Sequence, residues 1–214
     1  MSRWQFLKQN WVMSLIVLVV LLMAVAAIVY AVLTKEGDEG FLRGSDGEIL
    51  RWERSSLPLS CMYSDAAEKH QEYIDFATDT IHERVGNVIG ICRPWLLKKP
   101  FPTKPARGVI LVTLGTDSDG GEGVYVSSPF DPKHGGVTSL FADRETGKLY
   151  GAIIKVDPSV SKELLNRVYL HEFLHAFGLA HDRLKGSIMY PNATGRGKDL
   201  SSKDVERLKE VYVK

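Results

Sequence analysis

Three of the chain's six histidines fall in one short stretch, His171-Glu172-Phe173-Leu174-His175-Ala176-Phe177-Gly178-Leu179-Ala180-His181. Any fold of this chain has to accommodate that spacing. His171 and His175 stand at i and i+4, so a helix stacks them on one face within reach of a single ion. Gly178 marks the helix end, because glycine tolerates the left-handed conformation that closes a helix. The reversal after it returns His181 as a third donor. Three neutral imidazoles suit Zn²⁺ and leave one tetrahedral position open, the pattern of a catalytic ion. Glu172 projects toward that position, where it takes a proton from water as general base. Leu164, Leu165, Val168, Leu170 and Leu174 give the helix the apolar body of a central, packed element.

The N-terminus carries a different signal. Trp11 to Leu33 contains no charged residue. As a helix it would be about 35 Å long, enough to cross a hydrocarbon core of about 30 Å. A buried soluble helix would show a polar face, and this run has none. Ala24-Val25-Ala26 also fits a signal-peptidase site, and cleavage there would give a secreted protein. The apolar run nevertheless continues to Leu33, past the core of a signal peptide, so we read it as an uncleaved signal anchor. Arg3 and Lys8 precede it with no acid, whereas both signs are mixed after it. That flank places residues 1–10 in the cytoplasm, residues 11–33 across the bilayer and the remainder outside the cytoplasm.

Hydrophobic residues at 44% and charged residues at 25% fit a globular domain. A net charge of +1 lacks the basic excess of a general nucleic-acid binder, so no nucleic acid is expected as partner. Residues 34–55, rich in glycine and charge, read as a juxtamembrane linker. Residues 56–214 are enough for one well-buried domain. Within it, Leu57–Tyr63 reads as a strand, Ser64 caps a helix to Val85, and Val88–Cys92 and Gly108–Leu114 are further strands. A short strand lies near Val124–Val126. Val137–Ala142 and Leu149–Val156 form an antiparallel hairpin. A helix after Ser161 carries the histidines, and a last helix starts at Ser201 or Ser202. The fold class is α/β (α+β): a mixed, twisted sheet with a long first helix, the histidine helix and a C-terminal helix.

Cys61 and Cys92 sit on the two strands flanking the first long helix. An extracytoplasmic domain makes a disulfide between them reasonable, and two buried thiols fit equally well. Asp117, Asp119 and Glu122 lie in a glycine-rich loop, but Ca²⁺ there is unsupported: the spacing does not match an EF-hand, and a solvated turn explains them. Asn192-Ala193-Thr194 is a glycosylation sequon, meaningful only in a eukaryotic secretory pathway. His70 and His82 are expected to be ordinary solvated or partly buried side chains.

The segment from His171 to His181 resembles the metzincin zinc endopeptidases, whose H-E-x-x-H-x-x-G-x-x-H pattern is present without a gap. Ser187-Ile188-Met189-Tyr190-Pro191 resembles their Met-turn, at the spacing of the matrixin branch. Arg51-Trp52, Leu57-Pro58-Leu59 and Leu200 to Tyr212 resemble the matrixin first strand and C-terminal helix. The resemblance implies one zinc ion on His171, His175 and His181, Glu172 as its base, and Met189 as an apolar floor beneath the metal. It also implies a peptide cleft whose upper rim is the strand carrying Leu140, Phe141 and Ala142, with Tyr190, Pro191 and Asn192 bordering a pocket. Departures are present. No cysteine-switch segment precedes the domain, His134 stands alone where a structural zinc would lie, and Asp182 after the third histidine is more like the adamalysin branch. The expected activity is hydrolysis of protein or peptide substrates by a membrane-anchored zinc endopeptidase. The alternatives are a non-catalytic tethered binding or scaffold domain that keeps zinc for folding, and a hydrolase of another bond. Glu172 argues against the scaffold, because a structural site needs no base.

Overall fold

In the computed structural model the chain divides into two compact units, Met1–Glu39 and Gly40–Lys214. The structure describes residues 23, 40–44, 47–95, 102–115, 125–126, 135–143, 146–184, 186–191, 197 and 199–213. Apart from Met23, the run 11–33 lies outside these residues, as do Asp117, Asp119, Glu122, His134 and the sequon. Among the described residues no helix is long and apolar enough to cross a membrane.

The elements of the second unit are β1 (Arg51–Trp52), β2 (Leu59–Tyr63), α1 (Asp65–Glu68), α2 (Gln71–Val85), β3 (Ile89–Pro94), β4 (Val109–Leu114), β5 (Tyr125–Val126), β6 (Gly136–Ala142), β7 (Lys148–Val156), α3 (Lys162–Ala176) and α4 (Ser202–Tyr212). The strands form one mixed sheet in the order β3-β2-β4-β7-β6-β5, with β1 joined to the start of β7. β2, β3, β4 and β7 are parallel, whereas β6 and β5 run antiparallel to their neighbours. Side chains alternate along each strand. Ile110 and Val112 therefore join the main core under the helices, and Leu111 meets Phe141 and Ile153 in a smaller cluster on the opposite face.

α3 is the central helix. Leu165 and every residue from Arg167 to Ala176 are buried, so polar groups on it need partners inside the protein. α4 is amphipathic, burying Leu208 and Tyr212, and starts in a capping box between Ser201 and Asp204. The cysteine alternatives resolve to a disulfide: Cys61 and Cys92 are register partners on β2 and β3, with Cα atoms 4.3 Å apart.

Two expectations are corrected. The helix predicted from Ser64 to Val85 is broken at Lys69 and His70. His70 turns inward, its Nδ1 lies 2.9 Å from the Tyr169 hydroxyl, and its ring meets Tyr73 and Tyr169 edge-on. The Ser64 hydroxyl pairs with Thr113 Oγ1 instead of capping the helix. The second correction concerns residues 40–55, read as linker. Leu50 and Trp52 are in the core, and Phe41 bridges Leu179. Glycine and charge hid a short apolar set, Phe41, Leu42, Leu50 and Trp52, that packs with the main core.

Candidate active site

The end of α3 is built by backbone chemistry. Gly178 takes φ +85, and two bonds close the helix, Gly178 N–H to His175 O at 2.8 Å and Leu179 N–H to Leu174 O at 3.1 Å. This is a Schellman ending, which glycine permits because it has no Cβ. The last carbonyls of a helix need outside donors. The Trp52 indole donates to Ala176 O at 2.8 Å, and the Tyr212 hydroxyl donates to Phe177 O at 2.7 Å. β1 and α4 thus pin the turn that leads to the third histidine. The segment before β1 joins them: Leu42 N–H donates to Gly178 O at 2.7 Å, and Ala180 N–H donates to Gly40 O at 3.1 Å.

The three predicted ligands come together. Their Nε2 atoms are separated by 3.0 Å (His171 and His175), 3.1 Å (His175 and His181) and 3.2 Å (His171 and His181). A tetrahedral ion bound at about 2.0–2.1 Å holds its nitrogens about 3.3 Å apart, so the trio fits one ion with little adjustment. Tautomers support this. His171 Nδ1 lies 2.7 Å from Ile188 O and His175 Nδ1 lies 2.7 Å from Leu179 O. A carbonyl only accepts, so each Nδ1 carries the proton and each Nε2 turns a lone pair inward. With the Nε2 of half-buried His181 brought to the same point, the three rings form a candidate cation site.

Glu172 is buried beneath β6. Thr138 Oγ1 lies 2.7 Å from its Oε2 and 2.9 Å from its main-chain oxygen, one proton serving either. A Cβ on Gly136 would come within 2.8 Å of Glu172 Cγ and 2.9 Å of Oε1. Only glycine there lets the carboxyl lie against the strand. Burial pushes the Glu172 carboxyl up to about 8, opposed by the Thr138 hydrogen bond. A cation on the histidines acts the other way, toward the carboxylate.

Met189 is fully buried, and its carbonyl accepts from Asp182 N–H at 2.9 Å. That bond ties the Met-turn-like segment to the residue after His181. Asp182 Oδ2 also faces Arg207 Nη1 at 3.6 Å and Lys203 Nζ at 3.8 Å, which fastens the same loop to α4. Tyr190 and Pro191 are half-buried.

The strand expected to form the cleft rim is β6. Leu140, Phe141 and Ala142 are all buried, and β5 pairs with β6 at Leu140 and Ser139. At those positions the strand is not a free edge for an extended peptide. The part of β6 that meets the active-site helix is its beginning, Gly136 and Thr138. Neither was singled out from sequence. The adjacent glycines Gly135-Gly136 at a strand start were the available signal, but no local pattern reveals a partner 34 residues away.

Residues 114–213 match the family model described as Matrixin. No curated protein matches the chain. Among solved structures, the chain is similar to the crystal structure of metalloproteinase-II from Bacteroides fragilis, at 12% identity and a TM-score of 0.44. That similarity covers 83% of this chain and 59% of the other, so the chain spans about three fifths of that protein's length.

Proposed function

We propose that the chain is a matrixin-like zinc metallopeptidase for protein or peptide substrates, a membrane-anchored endopeptidase with Glu172 as general base. Residues 11–33 anchor it in a lipid bilayer, residues 1–10 stay in the cytoplasm, and the unit from Gly40 works outside. Nucleic acid is no part of its function. The observation carrying the catalytic reading is the convergence of three Nε2 atoms within 3.2 Å next to a buried glutamate in the sequence. The disulfide supports an oxidising, extracytoplasmic location.

His171, His175 and His181 would hold one zinc ion, which supplies Lewis-acid polarisation of the scissile carbonyl and acidifies the attacking water. The protein does the rest. Glu172 receives the proton of that water and delivers it to the leaving amine nitrogen. Thr138 holds the carboxylate by Oε2, and Gly136 leaves room for Oε1. Backbone carbonyls of Ile188 and Leu179 hold two ligand rings in the metal-binding tautomer. A scaffold domain that kept zinc for folding would gain nothing from burying a carboxyl at this position, since burial is costly.

The test compares the full chain with Glu172→Gln in detergent micelles. Both are expected to hold one zinc per chain. Cleavage of an unbiased peptide library should fall 10²–10⁴-fold in the variant, the usual contribution of a general base. Equal cleavage would remove Glu172 from the mechanism. Anchoring is read separately, from alkaline extraction of membranes and external proteolysis of intact cells. A domain that washes off, or is shielded from external protease, refutes the topology.

A further inference from the structure

One turn before His171 on α3 lies Arg167, with 7% of its surface exposed. A buried guanidinium is costly unless its donors find acceptors. Arg167 meets three carbonyls from the loop beyond the histidines. Nη2 lies 3.3 Å from Ile188 O and 3.3 Å from Tyr190 O, and Nη1 donates to Gly197 O. Ile188 O is the same atom that accepts from His171 Nδ1 at 2.7 Å. One carbonyl therefore serves a buried cation and a metal-binding ring. The chain also packs tightly here: a Cβ on Gly197 would come within 2.6 Å of Ile188 N and Ser187 C. Gly197 and Arg167 thus both pack against the Ser187–Tyr190 segment.

We propose that Arg167 is a positioning residue for the metal centre, fixing the Ile188 carbonyl and through it the orientation of the His171 ring. The proposal rests on the metallopeptidase reading and deepens it. The chemistry suits arginine: its planar fork reaches several carbonyls at once in fixed directions, which a lysine ammonium cannot reproduce. The free movement of the Ile188 carbonyl would let the His171 ring rotate about its long axis, and the Nε2 lone pair would leave the point shared with His175 and His181. A group that orients a ligand from behind is worth 10–100-fold in metal affinity.

The experiment loads the full chain in detergent with Co²⁺ in place of zinc and reads affinity and visible absorption, which reports ligand geometry. Arg167→Met is expected to bind Co²⁺ 10–100-fold more weakly, with an altered absorption envelope. Arg167→Lys should recover part of the affinity. Ile81→Val, a core change on α2, should lower Tm and leave both Co²⁺ readouts unchanged. If Arg167→Met matches the unmodified chain in affinity and spectrum, the positioning role is wrong while the metal site stands. If Ile81→Val alters the spectrum as much as Arg167→Met, the effect is general destabilisation and the role is again wrong. Should Arg167→Met fail to fold, Arg167→Lys decides, and affinity and spectrum identical to the unmodified chain overturn the proposal. An unmodified chain that binds no Co²⁺ overturns the metallopeptidase reading as well.

Discussion

Two side-chain clusters, one holding His70 with two tyrosines and one holding three histidines, are packed on opposite sides of the same stretch of α3, and their histidines are buried for different reasons. His70 comes from the break between α1 and α2 and bonds Tyr169 through Nδ1, with Tyr73 stacked parallel to Tyr169 at 6.5 Å. His171 and His175 also have Nδ1 occupied, but by backbone carbonyls, and their Nε2 atoms meet each other and that of His181. The first cluster satisfies one polar atom inside an aromatic contact and gains stability from packing. The second gathers lone pairs that repel one another without a cation. A histidine's burial therefore says little about ligation, whereas convergence of its second nitrogen says a great deal.

The largest effect that would break this contrast concerns the metal. With free zinc about a thousandfold above its Kd, the chain should gain about 4 kcal/mol from binding. Chelation should remove that gain, and His175→Ala should abolish it while His70→Gln leaves it. An unchanged melting curve on chelation would make the two clusters equivalent. Next is the disulfide on the α2 side. Replacing both Cys61 and Cys92 with serine opens a loop of 31 residues and should cost about 3–4 kcal/mol. Zinc affinity should stay within about twofold, because the bond lies between β2 and β3, away from the ligands. A large loss of zinc affinity would couple regions that the contrast separates.

Gly136→Ala should cost about 1–3 kcal/mol by overpacking against Glu172. It should lower kcat more than zinc affinity, since the added methyl displaces the carboxyl and leaves the rings alone; stopped kinetics beside a metal titration will separate these. The smallest effect is the pH response of the aromatic cluster. Burial, then Lys69, hold the His70 pKa below its ordinary value. Its unfolded form takes up a proton first as pH falls, so its contribution is complete above about 6.5 and is lost through the lower folded pKa. The difference in Tm between the unmodified chain and His70→Gln should shift against the unmodified chain from pH 7 to pH 5. A difference independent of pH would mean that His70 is solvated.

The catalytic motif was legible because its geometry is local. A period of 3.6 residues fixes His171 above His175, and a glycine at a helix end fixes the turn that returns His181. The hairpin of β6 and β7 and the start of α4 at Ser201 or Ser202 were readable for the same reason. The break at His70 was not, because helix periodicity continues through it and only the tertiary pocket beside Tyr169 draws the ring inward. The pairing of β5 with β6 at Leu140 was not readable either, because a strand's pattern reveals its faces but not which edge is already paired.

Sequence by itself determined the three imidazole donors, the glutamate beside them and the helix that presents them, since each depends on contacts within a few residues. Tertiary structure alone decided that residues 40–52 belong to the domain, that Cys61 joins Cys92, that Thr138 and Gly136 hold Glu172, and that Arg167 shares a carbonyl with His171. Each joins segments far apart along the chain. Such pairs meet because burial leaves polar atoms and apolar surfaces no solvent to turn to, and that requirement is met only once the whole core has closed.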